Sequence, residues 1–271
     1  MSLIVPISVV IASKNRPQEI QRCLASLRIS HAAPLQIIVI DQSATRYVLP
    51  QLDGLLHVYE PTLSGLAQAR NIALAHNTAP AVLFIDDDVT LEADCLDKLA
   101  DAFARDNDAI GFQCVDLEPH LEGRLTSSLS LLFEQGFFSK QPFSRDGKIA
   151  LRWLGGFAMA FRAELFAQET FDESLHGYSF GEDWEFSQRA RRYGILRNAD
   201  GAFVHHYFSP TNRDGVRRML EFRWKNYHYF FKKLEAKKDP LNYFWLLWWQ
   251  IGESYKWLRQ GMGLPYFGDA A

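Results

Sequence analysis

Three short runs, at residues 5–12, 35–40 and 80–85, are almost wholly apolar and rich in valine and isoleucine. A strand wetted on one side alternates apolar with polar side chains. These runs do not, so they read as parallel strands covered on both faces. The stretches between them carry helical spacing. In residues 17–29, Ile20, Leu24 and Leu27 share a face behind Pro17 at the first helical position, and Leu66, Ala69, Ala73 and Leu74 do the same in residues 65–76. This alternation predicts an α/β fold, doubly wound, with helices on both sides of the sheet. Residues 109–115 and 155–162 add two more strands, and residues 120–150 read as mixed helix and loop. A chain of 271 residues, 48% of them hydrophobic, suits one catalytic domain over 1–212 and a C-terminal helical extension over 213–271.

In an open sheet of this kind, ligands bind beyond the carboxyl ends of the strands. Three polar segments occupy such positions: Ser13-Lys14-Asn15-Arg16, Asp41-Gln42-Ser43 and Asp86-Asp87-Asp88. No Gly-x-Gly-x-x-Gly turn follows the first run, and no Gly-x-x-x-x-Gly-Lys-Ser/Thr occurs. Their absence counts against a dinucleotide oxidoreductase and a P-loop enzyme.

Three consecutive carboxylates after a buried strand repel one another, and a divalent cation relieves that repulsion. Asp86 and Asp88 share one side of an extended backbone. A hard cation held there, Mg2+ or Mn2+, completes its shell with diphosphate oxygens. The plainer alternative is a solvated acidic turn. A second constellation, Phe180-Gly181-Glu182-Asp183-Trp184-Glu185-Phe186, opens a helix that Gly194 ends, with Phe186, Ala190 and Tyr193 along one face. Glu182 and Asp183 either cap that helix or project a carboxylate from a rigid element. The third is Ala202-Phe203-Val204-His205-His206, a late strand from which one imidazole could join the metal.

Net charge is −3, but it is divided. Residues 1–212 carry 18 Lys+Arg against 26 Asp+Glu, and residues 213–271 carry 11 against 6. The acidic body and a pI near 6.2 count against nucleic-acid binding. The three cysteines lack metal-like spacing and suit a reducing compartment, and the start of the chain has no basic region like that of a secretory signal, so the cytoplasm is expected. Residues 213–238 read as a basic helix, followed by an aromatic run at 241–251 that falls short of the roughly 20 apolar residues needed to span a bilayer. This tail reads as a peripheral membrane contact on anionic lipid, or as a helical hairpin packed on the catalytic domain or against a second subunit in a homodimer.

Taken together and in order, these segments resemble the family 2 glycosyltransferases of the GT-A fold, over roughly residues 5–210. Val9 to Arg16 resembles that family's opening strand and the turn over the nucleotide, although Ala12-Ser13-Lys14 stands where Pro-Thr followed by Tyr or Phe is common. Asp41 with Ser43 is similar to the acidic residue that reads the base, Leu66-Ala67-Gln68-Ala69-Arg70-Asn71 to the helix start before the acidic motif, and Asp86-Asp87-Asp88 to the D-x-D motif. Gly155-Gly156 resembles the segment lining the donor sugar, and Glu182-Asp183 the pair containing the catalytic base.

The resemblance implies a GT-A, Rossmann-like, mostly parallel sheet. It also implies an inverting transfer from a nucleotide diphosphate sugar, UDP or dTDP favoured, to a carbohydrate or lipid-linked acceptor in cell-surface polysaccharide or glycolipid synthesis. On that reading Ala12, Ser13, Asn15, Arg16, Asp41, Asp87 and Gly156 meet the donor, and Arg70 steadies its phosphate or packs the helix. Asp88 binds Mg2+ or Mn2+, while Asp86 holds the ribose or a metal-bound water. His205 and His206 both resemble the late metal ligand, with the spacing from Ala202 favouring His206. Asp183 deprotonates the acceptor, which Glu182 and Trp184 contact. The competing readings are a sugar-nucleotide nucleotidyltransferase, whose glycine-rich basic loop is missing after the first strand, and a catalytically degenerate carbohydrate-binding protein, which would not need Asp86, Asp88 and Asp183.

Overall fold

The computed structural model describes residues 3–63, 65–118, 132–145, 147–175, 179–209, 216–236, 238–259 and 261. The chain forms two compact units, residues 1–119 with 143–212, and residues 120–142 with 213–271. The parts of the mixed helix-and-loop expectation that fall on 120–131 and 146 lie outside the described residues.

The first unit begins β1 (Leu3–Ser13), α1 (Pro17–Arg28), β2 (Ala32–Asp41), β3 (Leu55–Tyr59), α2 (Leu66–Ala75), β4 (Ala81–Asp86) and β5 (Val89–Leu91). It continues α3 (Cys95–Arg105), β6 (Ala109–Asp116), a small hairpin of β7 (Phe143–Arg145) and β8 (Lys148–Ala150), β9 (Ala158–Arg162), α4 (Glu182–Ala190) and β10 (Ile195–His206). Among the described residues the main sheet has eight strands in the order β3-β2-β1-β4-β9-β6-β10-β5. The three apolar runs lie side by side and parallel, as β2, β1 and β4. Residues 158–162 form the expected strand, but β9 runs antiparallel between β4 and β6, and Gly155 and Gly156 lead into it.

Side chains on β4 show why the run does not alternate in polarity. Ala81, Leu83 and Ile85 face one core with Ile20 and Leu24 of α1 and Leu96, Leu99 and Phe103 of α3. Val82 and Phe84 face the other core with Ala69 and Ala73 of α2 and Phe186 and Ala190 of α4. Each face of the sheet is therefore covered by two helices, and every β4 side chain before Asp86 is buried. On the second face Phe84, Phe161, Phe166 and Phe171 pack under Phe186, with Phe171 and Phe186 centred 4.3 Å apart, which fixes α4 against the sheet. Tyr193, expected to continue that face, lies beyond the helix and is exposed.

Gly111 on β6 makes room for this aromatic layer. A Cβ there would lie 2.6 Å from the Phe161 ring and 2.9 Å from the Ala160 carbonyl oxygen, and the latter is backbone that cannot swing aside. Gly111→Ala is expected to lower stability by about 1–3 kcal/mol, the usual cost of overpacking, read as a lower denaturant midpoint with an unchanged slope.

The second unit contains α5 (Val216–Leu234) and α6 (Leu241–Arg259), with a short helical turn at Gly136–Phe138. Residues 213–215 and 237 of the expected helix lie outside the described residues. Phe138, Tyr227 and Trp249 stack nearly parallel in its core. Arg223 ion-pairs with Glu134 and, at 3.0 Å, with Glu253, and Lys256 lies 2.7 Å from Glu253. The two carboxylates hold Arg223 well above the usual arginine range against the opposing effect of burial. No helix among the described residues is long and apolar enough to cross a membrane.

Candidate active site

Asp86 continues the face of Val82 and Phe84, and a tight turn then carries the chain through Asp87 and Asp88 into β5. β5 pairs with the end of β10 so that Val89 stands opposite His206. That pairing completes a group in which Asp86, Asp88 and His206 each offer a ligand atom within 4.8 Å of the others. The His206 ring is held between Phe157, 5.2 Å away, and Phe208, 3.7 Å away. Its Nε2 lies 3.2 Å from Asp88 Oδ1, and its buried Nδ1 has no hydrogen-bond partner. Burial opposes charge on Asp88, but His206, the donated Ser209 N–H at 2.8 Å and Arg16 draw its pKa down to about 2. The donor set of two carboxylates and one imidazole, with a buried ring nitrogen still unsatisfied, fits a divalent cation such as Mg2+ or Mn2+. His205, the other expected ligand, faces the opposite side of the strand, with its Nε2 2.6 Å from Glu92 Oε1.

The turns after β1 and β2 are stitched to the acidic turn and to each other. Asp87 is buried, accepting from Ser13 Oγ at 2.6 Å and from the Arg16 guanidinium at 2.9 Å, while burial pushes its pKa up to about 6 against both. Ala12 stands opposite Asp86 in the register of β1 and β4. Asn15 adopts a left-handed φ of 54°, donating its N–H to Ser43 Oγ and accepting from the Ala44 N–H. Asp41, expected to read a base with its carboxylate, is fully enclosed: its oxygens accept the Ser43 and Tyr47 N–H groups and lie 3.2 Å from His57 Nε2. Here it shapes the 41–47 turn.

Opposite the acidic group stands the first turn of α4. Asp183 is partly exposed; one oxygen accepts the Gly156 N–H at 2.9 Å and the other the Trp184 N–H at 2.8 Å. Glu182 is buried against Arg70 of α2, and its Oε2 has no hydrogen-bond partner. Burial pushes the Glu182 carboxyl up to about 8 despite the opposing Arg70 charge. Of the two expectations for Arg70, the structure places it inside the protein at 2% exposure. It donates to the Gly156 carbonyl at 2.9 Å, lies 3.7 Å from Asp86 Oδ1 and packs against Phe84 and Phe171. Gly156 threads between these groups, where a Cβ would lie 3.3 Å from both the Arg70 guanidinium and Glu182 Oε1. Trp184 is fully buried.

Several residues that shape this region carry no local sequence signal. Tyr47 accepts the Arg16 N–H at 2.6 Å, Gln113 accepts the Gly155 N–H, and Phe157 and Phe208 clasp His206. Each acts on a partner at least two residues away or across the sheet, so neither spacing nor composition marks it.

Comparisons with known proteins agree with this architecture. The sequence is 26% identical over 250 residues to the succinoglycan biosynthesis protein ExoM of Rhizobium meliloti (strain 1021), covering 88% of this chain and 78% of that protein. The fold is like that of the mannosyltransferase PcManGT from Pyrobaculum calidifontis, solved in complex with GDP-Man and Mn2+, with a TM-score of 0.59 at 15% identity over 93% of this chain and 71% of that one. It is also like that of S. aureus TarS 1–349 in complex with UDP-GlcNAc, with a TM-score of 0.56 at 16% identity over 95% and 73%. The glycosyl transferase family 2 profile matches residues 8–166, more than half of the sequence and the span from the middle of β1 past β9, so the chain belongs to that family.

Proposed function

We propose that this glycosyltransferase moves a sugar from a nucleotide diphosphate sugar, UDP or dTDP favoured, to an acceptor hydroxyl with inversion at the anomeric carbon. Its setting is the synthesis of a cell-surface polysaccharide or glycolipid. The observation that carries the reading is the convergence of Asp86, Asp88 and His206 at the sheet edge with a partly exposed Asp183 at the start of α4. The similarity to ExoM, a succinoglycan biosynthesis protein, supports a carbohydrate acceptor. The solved relatives with GDP-Man and with UDP-GlcNAc support a nucleotide sugar donor.

On this reading Asp88, His206 and Asp86 would hold Mg2+ or Mn2+, whose charge offsets that of the departing nucleoside diphosphate. Asp86 would also orient the donor ribose or a metal-bound water. The turns after β1 and β2, held by Asp41, Asn15 and Asp87, offer backbone groups to the nucleotide. Asp183 takes the proton from the acceptor hydroxyl as its oxygen attacks the anomeric carbon from the face opposite the diphosphate, so that one bond forms as the other breaks. Arg70 and Glu182 hold the Gly156 peptide whose N–H orients Asp183, and Glu182 borders the acceptor. Only the deprotonated carboxylate can act as the base.

Thermal stability against UDP, dTDP, GDP and CMP sugars with Mn2+, Mg2+ or EDTA tests the reading. A metal-dependent stabilisation by UDP or dTDP sugars is expected, on the order of 2–3 kcal/mol near 100-fold saturation, and proton NMR of the product should report the inverted anomer. No stabilisation by any donor in either metal, or a retained anomer, would overturn it.

A further inference from the structure

Helix α6 carries apolar side chains on two faces, one buried and one exposed. A surface helix ordinarily turns its apolar stripe to the core and its charges to solvent. Here Glu253 and Lys256 point inward to Arg223 and Glu134, alongside buried Trp249 and Trp257. Leu241, Phe244, Leu247, Ile251, Tyr255 and Leu258 are instead exposed, four of them by more than half. Their spacing of three and four residues puts them on one face, about 26 Å long. Packing within the second unit has already used the opposite face of the helix, so the stripe is a second apolar surface and not a gap in the core.

Helix α5 supplies the complementary charge. Its inward face holds Trp224, Tyr227, Phe230, Phe231 and Leu234, and its exposed residues are Arg217, Arg218, Lys225, Lys232 and Lys233 with Tyr229. The one acidic residue on that helix, Glu221, lies 3.2 Å from Arg217. One hairpin thus presents apolar and aromatic side chains from one helix and cations from the other. A membrane with anionic headgroups answers both surfaces, the apolar stripe and the cations. We infer that the hairpin is a peripheral docking element that lays the α6 stripe into the interface of an anionic lipid bilayer, steadied by the α5 cations. Tyr255 within the stripe and Tyr243 beside it suit that boundary, where an apolar ring meets a wet hydroxyl.

Co-sedimentation of the full chain with phosphatidylcholine vesicles, with and without phosphatidylglycerol, tests this. The wild type is expected to bind the anionic vesicles at least about tenfold more tightly, with the preference shrinking at high salt. The triple variant Phe244→Ser, Leu247→Ser, Ile251→Ser should lose at least about tenfold in vesicle binding while transfer to a water-soluble acceptor stays within about twofold. Lys225→Glu with Lys232→Glu should abolish the preference for anionic lipid and keep the native circular dichroism. Absence of wild-type binding to both vesicles would overturn the inference, as would undiminished binding by the triple variant. A dimer that the triple variant dissociates, with vesicle binding unchanged, would assign the stripe to a second copy and overturn it too.

Discussion

Asp183→Asn lowers the rate of glycosyl transfer by about 100-fold to 10,000-fold and leaves donor affinity within about twofold; this is the expected result if Asp183 is the base. The asparagine oxygen can still accept the Gly156 N–H that Asp183 accepts at 2.9 Å, so the first turn of α4 keeps its shape. What is lost is proton affinity. The cost in stability is that of one of two backbone hydrogen bonds, on the order of 1 kcal/mol, far too little to explain such a rate loss. Single-turnover transfer, together with calorimetric titration of the donor, separates the two effects. A loss smaller than about tenfold, or one confined to donor affinity, would remove Asp183 from the role of base.

Asp88→Ala is expected to have the second large effect, and of a different kind: metal-dependent donor binding itself disappears. Asp88 is the member of the acidic turn whose charge is held down to about pH 2, so it is the strongest permanent anion in the group of Asp86, Asp88 and His206. Its removal also takes the acceptor from the buried Ser209 N–H, an unsatisfied donor costing about 1–3 kcal/mol. The melting temperature of the free protein should therefore fall modestly, and the further rise produced by nucleotide and Mn2+ in the wild type should vanish. A variant that melts lower yet keeps the full metal-dependent rise would place the cation elsewhere.

Much of this arrangement is legible in the sequence, for a definite physical reason. A strand covered on both faces must be apolar throughout, and β1, β2 and β4 meet that requirement so fully that their parallel pairing follows from the helices between them. Helix α3 carries Leu96, Leu99 and Phe103 at helical spacing, a signal as clear as that of α1, yet it is not among the elements read from the sequence. β3 was harder, because all five of its residues are half-buried and show no period.

The direction of β9 was not readable, since a short doubly covered strand has the same pattern whichever way it runs. The choice between His205 and His206 rests on β5, only three residues long, which pairs with β10. The partnership of Arg70 with Glu182 spans 112 positions and leaves no local trace. Asp41 shows the opposite failing: its position beyond β2 was legible, but its complete engagement by Ser43, Tyr47 and His57 was not.

The reversed strand β9 has a mechanical consequence. Where it begins, the Asp86 N–H donates to the Phe157 carbonyl at 3.0 Å, and one residue earlier the Gly156 N–H reaches Asp183. The two sides of the site, one carrying Asp86 and the other the proposed base, are thus the jaws of a calliper whose bridge is a single peptide link. The opening of those jaws is set by the backbone bond from Asp86 to Phe157 on one side and by the Gly156 N–H to the Asp183 carboxylate on the other, with Arg70 bracing the Gly156 carbonyl. On the proposed reading, nucleotide preference can drift through substitutions in the turns after β1 and β2 without moving those jaws.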